Sequence, residues 1–333
     1  MATPTQELFG SPHPPISVIL PVLNEESHLQ GAVSSILAQK YLGSIEIILA
    51  LGPSRDRTNE IAQQISQHES RVRLVENPTG RTAVGLNLAL RASRNPVVVR
   101  VDGHAQIPDN YLALVVEILN TTGAVNVGGV MAAIGKTRFE KAVAAAMRSP
   151  LGVGASRFHT GGIAGAVDTV YLGAFRRGAL VAIDGFDERF IRAQDWELNF
   201  RLRKNGGLVY FDPRLHVTYR PRSTLKALAK QYFEYGRWRR VVSRRHSGTI
   251  NFRYLAPPTA LIGVTLSLIF GSLIAPVFYL PSGIYFVFLL LASLKIASSP
   301  IEFLTLLLVI PTMHFAWGAG FITSSKTLAP SED

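Results

Sequence analysis

The chain has 333 residues, 34 Lys and Arg against 23 Asp and Glu, and no cysteine, which makes it longer than an ordinary single domain, gives it a net charge of +11, and excludes disulfides and cysteine-ligated metals. From Pro257 onward the charged side chains are Lys295, Glu302, Lys326, Glu332 and Asp333, summing to −1, so residues 1–256 hold +12. A basic polar part ahead of a hydrophobic C-terminus points to anionic lipid or phosphorylated substrates, and the absence of any nucleic-acid-binding motif points away from nucleic acid as a partner.

Residues 1–15 contain Pro4, Pro12, Pro14 and Pro15 and no apolar run, and read as a disordered lead without a signal peptide. Ile16 to Leu20 is an apolar strand broken by Pro21, and Leu29, Val33, Ile36 and Leu37 then recur at helical spacing. A second buried strand, Ile45 to Ala50, passes through the turn LGPSRDRT into a helix from about Thr58 to Gln67. Val72 to Val75 leads through NPTG into a helix around Thr82 to Ala92, and Val97 to Val101 precedes a helix from Asp109 to about Leu119. Strands that are continuous apolar runs, alternating with helices, predict an α/β fold with a mostly parallel sheet covered on both faces. Ligands in such a sheet sit beyond the carboxyl ends of its strands, here Asn24 to Glu26, Gly52 to Asp56, Asn77 to Arg81 and Asp102 to His104.

In VVVRVDGHA, Asp102 and His104 straddle a glycine, so a turn there can present both side chains to one metal or phosphate. The plainer alternative is a strand followed by an Asp-Gly turn. Gly152 to Gly165 has no periodicity and reads as a lid over an acceptor site or as an unassigned element. VDTVYLGAFRRGAL is a strand running into a helix, and a further short helix carries Leu198 and Leu202 and stops at Gly206-Gly207. Asp195 and Glu197 stand at its positive end, where acidic residues are also common for structural reasons. His216, beyond a predicted strand, is either a structural histidine or another metal or phosphate contact.

Ten Lys and Arg between Arg214 and Arg245 face one Glu, while Leu225, Leu228, Tyr232 and Tyr235 share a helical face, which predicts a basic amphipathic helix at a membrane surface. Residues 256–294 then hold no charge over 39 positions, divided by Pro276 and Pro281. About three transmembrane helices are expected, near 258–276, 279–295 and 302–322. The arginines before the first span place the catalytic side in the cytoplasm and, with three spans, the C-terminus outside. The expected division is therefore 1–15 lead, 16–222 catalytic domain, 223–255 membrane-interface segment, 256–323 transmembrane helices and 324–333 polar tail.

Residues 16 to 240 resemble glycosyltransferase family 2, the inverting GT-A enzymes, and within it the bacterial succinoglycan and exopolysaccharide type. The resemblance lies in SVILPVLNEE, SRDRT, NPTGRTAVGLNLAL, VDGHA and GFDERFIRAQDWELNFRLRKNGG, five motifs in family order. It implies a Rossmann-like GT-A domain with C-terminal transmembrane helices, at the cytoplasmic membrane in a multi-pass arrangement. It implies donor contacts from Pro21, Asn24, Glu25, Ser54, Asp56, Gly80, Arg81 and Asp102, with Asp102 and His104 holding Mg²⁺ or Mn²⁺. Asp195 would be the catalytic base, and Tyr171, Gln194 and Trp196 would line the acceptor side. QYFEYGRWRR partly matches the family's Gln-x-x-Arg-Trp, which makes Arg237 a donor-diphosphate contact and Trp238 an acceptor-site wall, or else the two form a membrane-interface pair.

Two departures stand out. Leu51 and Gly52 occupy positions where the family has an acidic pair, and His104 replaces the second metal-motif acid. The implied activity is transfer of a sugar from a nucleotide-sugar donor to a lipid-linked or polysaccharide acceptor. The alternatives are transfer onto polyprenyl phosphate and, motivated by the departures, an inactive donor-binding membrane scaffold.

Overall fold

The computed structural model describes residues 10–328. The expected disordered lead up to residue 9, and the polar tail from residue 329, lie outside the described residues. The chain divides into two compact units, one running to Ala132 and resuming over Gly161–Thr218, the other comprising Ala133–Thr160 and everything from Tyr219.

The first unit is built from β1 (Ile16–Val22), α1 (Leu29–Leu37), β2 (Ile45–Leu51), α2 (Thr58–His68), β3 (Val72–Glu76), α3 (Thr82–Ala92), β4 (Val97–Arg100) and α4 (Tyr111–Thr122). The strand β5 (Asn126–Ala133) follows and ends at the unit's edge. Strands β1 to β4 form the parallel half of an eight-stranded sheet, with Ile16 of β1 opposite both Ile45 and Val97. Its apolar strands are hidden on both sides. Ile47, Leu49, Val97 and Val99 pack toward Leu29, Val33, Ala62 and Leu112 on α1, α2 and α4, whereas Ile19, Ile48 and Val98 pack toward Leu86 and Leu90 on α3. Continuous apolar runs are what such double burial requires.

The second half of the sheet mixes parallel and antiparallel neighbours. After the second unit's α5 (Arg138–Met147), α6 (Pro150–Val153) and α7 (Arg157–Thr160), the chain re-enters with β6 (Gly165–Ala166), β7 (Tyr171–Arg176), α8 (Arg177–Val181), α9 (Gln194–Lys204) and β8 (Val209–Tyr219). The strand order is β3-β2-β1-β4-β7-β5-β8-β6, and β7 runs antiparallel to both β4 and β5. Periodicity does not reveal β5. Its sequence NVGGVMAA contains two glycines because an added Cβ would come within 1.7 Å of the Leu215 carbonyl oxygen at Gly129 and within 2.8 Å of the Tyr171 carbonyl oxygen at Gly128. The glycine-rich stretch Gly152–Gly165 contributes one-turn helices α6 and α7, and Ala133–Thr160 groups with the C-terminal helices instead of with the sheet.

In the second unit, α10 (Leu225–Arg245) packs along α13 (Pro300–Thr323), burying Leu228, Tyr232, Trp238 and Val242, and α11 (Phe252–Leu273) and α12 (Leu280–Ile296) complete the bundle. Gly236 and Gly320 permit the close crossing of α10 and α13. A Cβ on either would sit 2.0 Å from a carbonyl oxygen, that of Trp317 or of Phe233. Phe252–Leu273, Pro276–Ile296 and Pro300–Thr323 are long and apolar enough to cross a membrane. Leu273, Leu280, Leu294 and Leu304 stand exposed on them, a surface suited to lipid. The start of α11 lies beside the end of α13. The Tyr254 ring stacks on Trp317 at 6.3 Å, and the Arg244 guanidinium donates to the carbonyl oxygens of Ser324 and Ser325 at 2.7 and 3.0 Å.

Candidate active site

The loops after β1, β2, β3 and β4 leave the sheet at one edge because parallel strands end together, and they brace one another there. Asn24, held at a positive φ of 56°, donates its backbone N–H to Ser54 Oγ at 3.1 Å and accepts from the Arg55 N–H at 2.8 Å. The Glu25 N–H donates to Thr58 Oγ1 at 2.7 Å and the Glu26 N–H to Asp56 Oδ2 at 3.2 Å. Asp56 also accepts from the Thr58 hydroxyl, the largest of the contacts that lower its carboxyl pKa. Ser54 and Asp56, expected to contact the donor, therefore also tie the first loop to the second. Gly80, at a φ of 63°, meets Gly52 closely, so a side chain on Gly52 would press on the Gly80 Cα at 3.2 Å. Pro21 sits in β1 opposite Ala50.

At the end of β4, Arg100 is only 5% exposed, an unusual position for a residue that stays charged at any physiological pH. Its Nε donates to Asp102 Oδ1 at 3.0 Å, its Nη2 lies 2.9 Å from the same oxygen, and its Nη1 pairs with Asp195 Oδ1. Asp102 and Asp195 keep 18% and 31% side-chain exposure, so both open toward solvent from one buried cation. Asp195 stands in the first turn of α9, whose entry residue Ala193 is left-handed at a φ of 60°. Burial pushes the Asp195 carboxyl above the usual aspartate range; Arg100 pulls it back and the charge of Asp102 adds to the rise. Tyr171, opening β7, lies close enough to interact electrostatically with Arg100.

Asp102 and His104, expected together on one cation, have different partners across Gly103. Asp102 joins Arg100, whereas His104 Nδ1 lies 2.7 Å from Glu25 Oε1, and Glu25 Oε2 is 3.8 Å from His28 Nδ1. Among the described residues no three His, Cys, Asp or Glu side chains converge as a metal cage. His216 is exposed and sits 3.2 Å from the Arg214 carbonyl.

The segment leading to α9 is clamped to α3 by Asn87. Its Nδ2 donates to the Phe186 carbonyl at 2.8 Å and to Glu188 Oε1 at 2.9 Å, and its Oδ1 accepts from the Phe186 N–H at 2.8 Å. Arg81 adds a contact to the Glu188 carbonyl at 2.5 Å. Buried Glu197 is bound by Arg201 at 2.7 and 2.8 Å, which makes it part of the scaffold of α9. Gln194 is buried beside Asp195, and Trp196 stacks on Phe200 at 6.0 Å. Arg237 and Trp238 belong to the second unit. Arg237 pairs with Glu234 at 2.8 Å on α10, and Trp238 is buried on the same helix.

Sequence reasoning passed over Arg100 and Asn87. A lone basic residue in the run VVVRV was the available signal for the first, and a lone amide in LNLAL for the second.

A family model described as "Glycosyl transferase family 2" matches residues 17–183, ending before Asp195. A succinoglycan biosynthesis protein, ExoA, of Rhizobium meliloti (strain 1021) is 30% identical over 316 residues, covering 91% of this chain and 93% of that protein. Among solved structures, the mannosyltransferase PcManGT from Pyrobaculum calidifontis, in complex with GDP-Man and Mn²⁺, aligns with a TM-score of 0.60 at 18% identity over 93% of this chain and 86% of that one. S. aureus TarS 1-349 in complex with UDP-GlcNAc aligns with a TM-score of 0.52 at 14% identity, covering 90% and 89%.

Proposed function

The chain belongs to glycosyl transferase family 2 and has its GT-A fold, and on that footing we propose that it is a membrane-anchored inverting enzyme that moves a sugar from a nucleotide-sugar donor to a lipid-linked or polysaccharide acceptor of an exopolysaccharide or cell-envelope glycan. The observation that carries this reading is the meeting of Asp102, from the end of a parallel strand, with Asp195, from the start of α9, on the one buried Arg100. A donor side and an acceptor side are thereby set next to each other.

In the proposed reaction the acceptor hydroxyl gives its proton to Asp195 while its oxygen bonds to the anomeric carbon. The bond from that carbon to the diphosphate breaks, its electron pair leaves with the nucleoside diphosphate, and in-line attack inverts the configuration. Asp195 suits the task because its carboxylate is positioned by Arg100 through Oδ1 and, among the described residues, Oδ2 takes no hydrogen bond. The loops carrying Pro21, Asn24, Glu25, Ser54, Asp56, Gly80 and Arg81 receive the nucleotide, and Tyr171, Gln194 and Trp196 border the acceptor. Arg237 and Trp238, on α10, are taken as the membrane-interface pair of their two expected roles.

Asp102 fits a Mg²⁺ or Mn²⁺ ion: among the described residues its Oδ2 has no hydrogen-bond partner, and a hard cation of this kind takes one or two protein carboxylates and completes its shell with diphosphate oxygens and water. When bound, the ion would offset the charge that builds on the departing diphosphate. His104, paired with Glu25, serves the nucleotide loop or contributes a second ligand.

The arginine-rich end of α10 supports a position at the cytoplasmic face of the cell membrane, where a lipid-borne acceptor presents its sugar. Each of α11, α12 and α13 is long and apolar enough for one crossing, and the adjoining positions of Tyr254 and Trp317 support a second arrangement in which the end of α13 returns to the side where α11 begins.

The test is a panel of nucleotide sugars with Mn²⁺ on membranes containing the protein, reading release of nucleoside diphosphate with and without lipid-linked glycan. Acceptor-dependent release is expected with one donor class. Release that requires only polyprenyl phosphate selects the second enzymatic reading, and no release with any donor selects the scaffold.

A further inference from the structure

Arg100 is a buried charge in a run of β-branched residues, and one guanidinium fork serves two carboxylates that the proposed reaction uses for different purposes. Nε and Nη2 are spent on Asp102 Oδ1 and Nη1 on Asp195 Oδ1. Among the described residues Oδ2 of each carboxylate takes no hydrogen bond, which leaves it for a cation at Asp102 and for a hydroxyl at Asp195. A guanidinium is suited to this because its planar fork fixes the directions of its donors, which a single ammonium cannot do. The three groups together carry one net negative charge in a partly desolvated site, so any cation brought to Asp102 enters beside an existing cation.

Resting on the reading of Asp102 and Asp195 given above, we propose that Arg100 is a positioning residue coupling the two sides of the reaction: it orients Asp195 for the acceptor and competes with the donor-borne cation for Asp102. The two functions have opposite signs when Arg100 is removed. Loss of the fork leaves Asp195 unoriented and slows transfer, while loss of the competing charge tightens cation binding at Asp102. A purely structural arginine would weaken both together.

The experiment uses the full chain in detergent or nanodiscs and two measurements, the kcat of transfer and the Mn²⁺ concentration giving half-maximal binding of nucleoside diphosphate without acceptor. For Arg100→Gln, kcat is expected to fall at least about tenfold, as for loss of a group that aligns a general base, while the half-saturating Mn²⁺ concentration falls at least about threefold. For Arg100→Lys, which keeps the charge without the fork, kcat falls by about threefold or more with half-saturation near that of the unaltered protein. An unchanged or raised half-saturating concentration in Arg100→Gln overturns the proposal. If that variant does not fold, unchanged kcat in Arg100→Lys overturns it equally. Absence of turnover in the unaltered protein with every donor is the separate failure of the glycosyl-transfer reading, whereas turnover insensitive to both substitutions is the failure of the coupling alone.

Discussion

Arg100 and Asp195, 95 positions apart in the chain, meet as an ion pair between Nη1 and Oδ1 at the mouth of the sheet. The pairing sets α9 against the end of β4. It also makes Asp195 the residue on which proton removal from an acceptor is expected to depend. Asp195→Asn keeps the shape and removes the basicity, so transfer should fall by about 10²- to 10⁴-fold, as for loss of a general base. Nucleoside diphosphate binding measured by calorimetry on the same preparation should stay within about twofold, since the change removes a group that acts in the transition state.

The pH profile carries a second expectation. Burial raises the Asp195 carboxyl, with Asp102 adding to the rise and Arg100 opposing it. A base must be ionised to act, so the acid limb of kcat/KM should lie above the ~3.9 of a free aspartate side chain. In Arg100→Gln the opposing charge is gone and the limb should move to higher pH. The stability sign follows from the same shift. A carboxyl that holds its proton more tightly when folded favours folding fully below its unfolded pKa, and that contribution is lost as pH rises through the folded value. An acid limb at or below the free-aspartate value would contradict the assignment of Asp195.

Asn87 is buried in α3 and satisfies both its amide donor and its carbonyl with the segment at Phe186 and Glu188. In Asn87→Ala the backbone groups at Phe186 lose their partners inside the protein, a cost of ~1–3 kcal/mol for each buried group left unsatisfied. The melting temperature should drop. Donor KM should rise as well, because Arg81 touches the Glu188 carbonyl from the neighbouring loop.

The α10 and α13 helices cross with no room for side chains at Gly236 and Gly320, where a Cβ would fall 2.0 Å from a carbonyl oxygen. Gly320→Val forces the helices apart, and overpacking of this kind costs ~1–3 kcal/mol or more. Unfolding in detergent should occur at lower denaturant than for Gly283→Ala, a change on α12 at a site with nothing within 4 Å.

A reporter that fluoresces only in the cytoplasm, fused after Asp333, should be bright. The expectation rests on Arg244 holding the carbonyls of Ser324 and Ser325 and on Tyr254 stacking on Trp317. A dark cytoplasmic reporter together with an active periplasmic one would establish the three crossings expected from hydropathy.

Several of these residues were legible before folding was considered. The four apolar strands and the helices between them follow from doubly buried runs such as ISVILPV and IEIILAL, and loops at the ends of parallel strands must share an edge. That reasoning alone placed Asn24, Ser54, Arg81 and Asp102 together. It missed β5 because glycines demanded by the close approach of Leu215 to Gly129 and of Tyr171 and Val170 to Gly128 erase the alternation of a strand, and it assigned no structure to α5, which packs against α13 from the far end of the chain.

What the sequence by itself determined is therefore local in origin: which segments are strands, where their carboxyl ends lie, that the C-terminal helices are apolar enough for a bilayer, and which motif residues are chemically suited to a diphosphate or a base. Pairing was decided only by tertiary structure. Asp102 and His104 are two residues apart yet take different partners, Arg100 and Glu25, while Asp102 and Asp195 share one arginine across nearly a hundred positions. The reason is desolvation. A guanidinium on a buried strand must find carboxylates wherever the fold brings them, and no local spacing records which ones those are.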